Sequence, residues 1–291
     1  MNESTNLLLE LYTPKLDRIV EKVVSFIREF VESAGVKRVI VGLSGGVDSS
    51  TTLALLSRAV GPEMVYALIL PHSEITPKGD VEDAVGLAKR LGVEYRLIDV
   101  KNIFESFKSM LGENGGDRIA WGNMLARIRM TILYYHANIM RGVVCGTGDK
   151  SEILLGYYTK YGDGGVDFLP IGDLYKTQVR RIALYLGIPE KIALKPSSPR
   201  LWRGQLAERE LGFTYDEADR FMYLFVDKGF DLETACRISK VPVDKCKTIL
   251  RMVLRSEHKR RLPPIPKLHR FTVGLDDHGS LINRIREALG T

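Results

Sequence analysis

Two hydrophobic patterns alternate along the first two thirds of the chain. In some stretches apolar residues recur every three or four positions; in others they form short unbroken runs. From 14 to 34, Leu16, Ile19, Val20, Val23, Val24, Ile27, Phe30 and Val31 fall on one face. That spacing predicts an amphipathic helix entered through Pro14 and stopped at Gly35. Residues 38–43 are a short run rich in β-branched side chains and read as a buried parallel strand. Ser44-Gly45-Gly46 turns the chain into a helix expected over 47–60. The same alternation predicts strands at 64–70, 94–100, 142–146 and 168–171. Helices are expected at 78–91, 120–140 and 176–186.

Strands alternating with helices imply an α/β fold: a Rossmann-like, doubly wound parallel sheet, here of five strands. Ligands in such sheets sit at the carboxyl ends of the strands, near the point where strand order reverses. The loops after Leu43, Leu70, Val100 and Gly146 are therefore where chemistry is expected. Beyond about residue 195 strand-like runs fade, and helices are expected at 215–228, 232–240 and 243–259. Pro263-Pro264-Ile265-Pro266 reads as a linker, and 112–116 as a loop. No internal repeat is found. The organisation expected is a single domain over 1–291, with an α/β core at 14–195 and a mainly helical extension at 196–291.

Composition narrows the classes. Of 291 residues, 45% are hydrophobic and 27% charged, which excludes a disordered or fibrous chain. No apolar run has the length of a membrane span, and the first residues lack a basic, cleavable leader pattern, so a cytoplasmic protein with no membrane partner is expected. A net charge of +6 suits anionic partners, either nucleotides or nucleic acid. Cys145, Cys236 and Cys246 are too few and too scattered for a disulfide framework, and read as reduced thiols packed as small hydrophobes.

The segment Gly42-Leu43-Ser44-Gly45-Gly46-Val47-Asp48-Ser49-Ser50 follows the first strand. Paired glycines let the backbone approach a ligand, and the next helix offers unpaired N–H groups and its positive dipole end. With the serine hydroxyls this makes a phosphate cradle. Asp48 beside an anion calls for a bridging cation, as Mg²⁺ is held. The spacing fits neither the Walker A loop nor G-x-G-x-x-G. A plain capped turn is the alternative reading.

Further candidates lie downstream. Arg127 and Arg129 are two apart on a predicted helix, so at most one points into a site. Gly146-Thr147-Gly148-Asp149-Lys150-Ser151-Glu152 follows a strand, with Glu152 a second carboxylate for Mg²⁺ or a first-turn helix acid. Lys160, Asp163 and Asp167 sit in the glycine- and tyrosine-rich stretch 156–167, and Lys176 opens a helix where a cation needs an anion nearby.

SGGVDSS resembles the pyrophosphate loop of the N-type ATP pyrophosphatases, whose fold is the adenine nucleotide alpha hydrolase type. The segments Asn123-Met124-Leu125-Ala126-Arg127-Ile128-Arg129, Gly146–Glu152, Gly156-Tyr157-Tyr158-Thr159-Lys160-Tyr161-Gly162-Asp163-Gly164-Gly165-Val166-Asp167 and Glu257-His258-Lys259-Arg260 resemble the ammonia-dependent NAD synthetase family in particular. The resemblance covers about residues 20–265. It implies ATP-dependent amidation of deamido-NAD by ammonia through an adenylate, releasing AMP and pyrophosphate, with Mg²⁺ as cofactor and a homodimer as the assembly. It further implies that Gly42, Leu43, Ser44, Gly45, Gly46, Val47, Asp48, Ser49, Thr147, Lys176 and Ser198 contact ATP. Asp48 and Glu152 would ligate Mg²⁺ and, with Lys176, make the catalytic set. Arg127, Lys160, Asp167, His258 and Lys259 would contact deamido-NAD, with Tyr157 or Tyr158 stacking on its nicotinate ring.

The family's usual Thr-Asp pair is replaced here by Leu206-Ala207, and Pro199 follows Ser198. No glutaminase module accompanies the motifs, so ammonia is the expected nitrogen donor. A tRNA-modifying adenylating enzyme and a non-catalytic nucleotide sensor are the alternatives. The first would need a basic stripe with aromatics, and the tail offers only Lys259, Arg260, Arg261, Lys267 and Arg270. The sensor would tolerate loss of Asp48 or Glu152, and both are present.

Overall fold

The computed structural model describes residues 8–12, 15–112, 117–269, 271 and 285. Pro14 and residues 113–116 of the expected loop lie outside these.

Among the described residues the sheet has four parallel strands, β1 (Val39–Gly42), β2 (Val65–Ile69), β3 (Glu94–Leu97) and β4 (Val143–Cys145), in the order β3-β2-β1-β4. Val39 is paired with Val65 on one side and Val143 on the other. The chain winds from β1 outward to β3, then returns to place β4 on the opposite side of β1. The crevice above β1 and β4 is thus the switch point.

Alternating side chains build two cores. Val39, Val41, Val65, Ala67 and Ile69 face an apolar cluster shared with α2 (Leu16–Ala34), α3 (Val47–Val60), α4 (Lys78–Leu91) and α8 (Lys176–Tyr185). Ile40, Tyr66, Leu68 and Val144 face the other cluster, with α5 (Lys101–Leu111) and α6 (Arg118–Met140). Burial on both faces is why β1 and β2 read as unbroken apolar runs. A third cluster joins α10 (Ala207–Leu211), α11 (Tyr215–Met222), α12 (Leu232–Ser239) and α13 (Val243–Arg255) to Leu155, Tyr175, Leu8 and Leu11. Among the described residues the remaining α-helices are short: α1 (Leu9–Tyr12), α7 (Lys150–Leu155) and α9 (Glu190–Ala193). No described helix is long and apolar enough to cross a membrane.

The expected fifth strand is reduced to one bridge, Phe168 against Cys145. Asp167 N donates to Val144 O and Gly146 N to Phe168 O, both at 2.9 Å. Pro170 then has no N–H to give, and a turn closes from Leu169 to Gly172. The strand expected over 94–100 ends at Leu97, because Asp99 accepts from Ser73 N and Lys101 N and starts α5, which the hydrophobic pattern did not predict. The helix expected over 215–228 is α-helical to Met222 and continues as a π-turn, Tyr223–Asp227. That expected over 243–259 stops at Arg255, before a 3₁₀ turn at Glu257–Lys259.

Candidate active site

A cavity of about 710 Å³ opens at the switch point. Its floor is the phosphate loop and the ends of β2 and β4, and its sides are α6, residues 156–163 and the segment 195–202.

The loop is laced by its own hydroxyls. Ser49 Oγ donates to Gly46 O (3.2 Å), accepts from Ser44 N (3.2 Å) and meets Ser44 Oγ at 3.0 Å. Among the described residues the N–H groups of Val47 and Asp48 have no hydrogen-bond partner, as the first turn of a helix requires. These donors and the helix dipole form the anion cradle. Gly45 has φ +79°, and a Cβ there would strike the Asp80 carbonyl oxygen. The close approach of loop and α4 therefore needs glycine. Lys195 fastens the same junction: its Nζ donates to Gly45 O (2.8 Å), Asp80 (2.9 Å) and Asp83 (2.7 Å). Arg200 adds a bond to Asp80 Oδ2 at 2.8 Å. The segment carrying Ser198 is thus tied directly to the phosphate loop.

Behind the loop lies Lys176, fully buried at the first turn of α8. Its ammonium meets Asp48 Oδ2 at 2.6 Å, Asp149 Oδ2 at 3.0 Å and Glu152 Oε1 at 3.0 Å. Asp149 caps α7 by accepting from Glu152 N (2.8 Å). Burial opposes the Lys176 charge, but the three carboxylates outweigh it and hold its pKa well above the ordinary lysine value. Burial raises Asp149 to about 6, with Lys176 opposing, and pushes Glu152 well above the carboxylate range. Three acids around one ammonium leave excess negative charge at the cavity wall.

That excess suits a divalent cation. Asp48 Oδ1 is buried and accepts no hydrogen bond. No described group of three or more His, Cys, Asp or Glu side chains forms a complete metal cage. Two carboxylates plus substrate phosphate oxygens is how Mg²⁺ is commonly held, and Asp48 with Glu152 fits that donor set.

Gly42, Leu43, Ser44, Gly46, Val47, Asp48, Ser49, Thr147, Glu152 and Ser198 line the cavity, with Gly45 packed beneath. Lys176 is placed behind Asp48 and Glu152, off the wall. Of the residues expected to meet the dinucleotide, Lys259 and both candidate stacking rings, Tyr157 and Tyr158, line the cavity. Lys259 Nζ donates to Gly156 O (2.7 Å) and Tyr158 O (2.6 Å). Arg127, Lys160 and His258 form a connected patch outside it: Arg127 reaches Lys160 O (3.3 Å) and Lys160 Nζ reaches His258 O (2.7 Å). Asp167 lies at the outer edge of β4, accepting from Val144 N (2.7 Å) and Tyr134 Oη (3.0 Å). Of the arginine pair it is Arg129 that lines the cavity, with Nε on Leu70 O (3.1 Å). Tyr157 Oη is tied to Glu210 (2.6 Å), while Lys259 lies over the Tyr158 ring. Sequence reasoning gave no role to Asp149, Lys195 or Asp80. Asp149 had a signal, an N-cap residue type directly after a strand; the other two meet only through the fold.

A profile of the family described as NAD synthase matches residues 19–263. A protein named NH(3)-dependent NAD(+) synthetase from Hyperthermus butylicus is 56% identical over 266 residues, 91% of this chain and 95% of that one. Among solved structures, NMN synthetase from Francisella tularensis superposes with a TM-score of 0.77 at 31% identity, covering 87% of this chain and 99% of that one. NH3-dependent NAD synthetase from Campylobacter jejuni, in complex with the nitrate ion, gives 0.74 at 32% identity, covering 87% and 100%.

Proposed function

The chain belongs to the NAD synthase family, and from that premise we propose how its cavity amidates deamido-NAD to NAD⁺ with ATP and ammonia. The nicotinate carboxylate is a poor acyl donor. Its oxygen attacks the α-phosphorus of ATP, pyrophosphate leaves, and the resulting mixed anhydride is open to ammonia, which gives NAD⁺ and AMP. Negative charge grows on the α-phosphate and leaving-group oxygens. Unpaired N–H groups at the start of α3 oppose it without reorganising. No covalent nucleophile is needed, so positioning carries the catalysis.

Asp48 and Glu152 would hold Mg²⁺, which when bound supplies charge neutralisation at the phosphates. Lys176 keeps the two carboxylates together, with Asp149 as a third partner. Thr147 and Ser198 meet ATP from the cavity sides. Lys259 shapes the Tyr157–Tyr158 turn against the substrate. Arg127, Lys160 and His258 extend the dinucleotide site over the rim, and Asp167 joins them from the β4 edge. The assembly is a homodimer, a reading that rests on the family resemblance, and the compartment is the cytoplasm, a reading that rests on the three cysteines as reduced thiols.

The observation that carries this reading is the joining of Asp48, at the phosphate loop, to Glu152, at the end of β4, through one buried ammonium. The test is to incubate the protein with ATP, Mg²⁺, deamido-NAD and ammonium and quantify products. NAD⁺, AMP and pyrophosphate are expected in equal amounts. Asp48→Asn should lower the rate by about 100-fold or more. AMP without NAD⁺ would point to another acceptor, and no ATP cleavage would overturn the reading. Light scattering on a sizing column tests the dimer.

A further inference from the structure

Lys176 and Glu152 stand on the first turns of two different helices, α8 and α7. Neither element alone fixes the distance between them. The residue at the N-cap of α8 is Tyr175, whose side chain is not of the Ser, Thr, Asp or Asn type that caps a first turn. One bond is local, Tyr175 N donating to Gln178 Oε1 at 3.0 Å; the next two N–H groups are capped from elsewhere. Lys176 N donates to Ser151 Oγ at 2.9 Å and Thr177 N to Asp219 Oδ2 at 2.9 Å. Ser151 Oγ in turn donates to Asp219 Oδ1 at 2.5 Å. Asp219 is fully buried on α11, within the C-terminal helical part. One carboxylate therefore holds the start of α7 through Ser151 and the start of α8 through Thr177.

A second carboxylate repeats the arrangement further out. Asp227 accepts from Lys150 Nζ at 2.6 Å and from Tyr175 Oη at 2.7 Å, again one group from each helix start. Asp227 lies eight residues beyond Asp219. On an uninterrupted α-helix the residue seven beyond, Val226, would share the Asp219 face. The π-turn at Tyr223–Asp227 inserts one extra residue, which brings Asp227 to that face and leaves Val226 outward, 43% exposed.

We propose that Asp219 is the positioning residue of the reaction, with Asp227 as its outer companion: the helical extension uses them to clamp α7 and α8 so that Lys176 meets Asp48 and Glu152 in one fixed geometry. This rests on the synthetase reading above. Asp219 touches no substrate and acts through Ser151 and the backbone of Lys176 and Thr177.

The test combines kinetics with amide hydrogen exchange on the ligand-free protein. Wild-type NAD⁺ formation is measured first, and its absence sinks the synthetase reading alone. Exchange still decides the clamp. In Asp219→Leu, exchange in the peptide over 174–180 should rise about tenfold while that over α4 stays unchanged. The kcat should fall about 100-fold with KM for deamido-NAD within about threefold. Adding Ser151→Ala to Asp219→Leu should cost less than about twofold more, because both act on one link. Should Asp219→Leu fail to fold, Asp219→Asn and Ser151→Ala keep the space filled and carry the same readouts at about a tenfold loss of kcat. Unchanged exchange over 174–180, unchanged kcat in a folded variant, or fully additive losses would each overturn the proposal.

Discussion

Gly45 combines a backbone angle of +79° with contact against the Asp80 backbone, so any side chain there meets both strain and a clash. Gly45→Ala should lower stability by about 2 kcal/mol or more and weaken ATP binding, read by thermal melts and calorimetric titration. Lys195→Met should leave the α/β core folded but loosen the segment bearing Ser198. An approximately tenfold rise in KM for ATP is expected, with a smaller change in melting temperature. That Asp48, Glu152 and the loop residues meet at one cavity was legible in the sequence, because phosphate cradles and carboxylates have local signatures. Lys195 was not, since its partners Asp80 and Asp83 lie more than a hundred residues away. The arginine pair was half legible: helical periodicity says that only one points inward, and only the packing of α6 shows that it is Arg129.

At the scale of elements, the start of α8 carries a charge problem. Burial raises Asp219 to about 7, against the hydrogen bonds from Ser151 and Thr177. The folded state therefore binds this proton more tightly than the unfolded chain does. The stability this provides is full below about pH 4 and is lost as pH rises through about 7. A shift of that size is on the order of 4 kcal/mol. Melting temperatures from pH 4.5 to 8.5 should show wild type losing its advantage over Asp219→Asn as pH rises, then running parallel above pH 8. The strands β1 and β2 and the helices α2, α3 and α4 were legible because one or both faces are apolar. Helix α5 was not, because its start depends on Asp99 bonding to Ser73 in a different loop. The π-turn at Tyr223–Asp227 likewise has no local signature.

At the scale of the whole molecule, three apolar clusters divide the labour: two clamp the sheet, and the third presents Asp219 to the site. Ammonium should support turnover, and glutamine supplied alone should give no NAD⁺ above background, measured in parallel assays. The sheet itself has an unequal pair of margins. β3 ends one side with Glu94 and Arg96 directed to solvent, charges that discourage a further strand. β4 ends the other with little charge, and there the truncated fifth strand matters. Val144 N is taken by the Asp167 carboxylate, Val144 O by Asp167 N, and Gly146 N by Phe168 O. Asp167 thus acts as a stopper on an otherwise sticky margin. Asp167→Ala would leave Val144 N open to a neighbouring molecule's backbone, and the purified variant should scatter light on concentration where the wild type stays clear. A side chain proposed for the dinucleotide would then also keep one molecule's sheet from growing into the next.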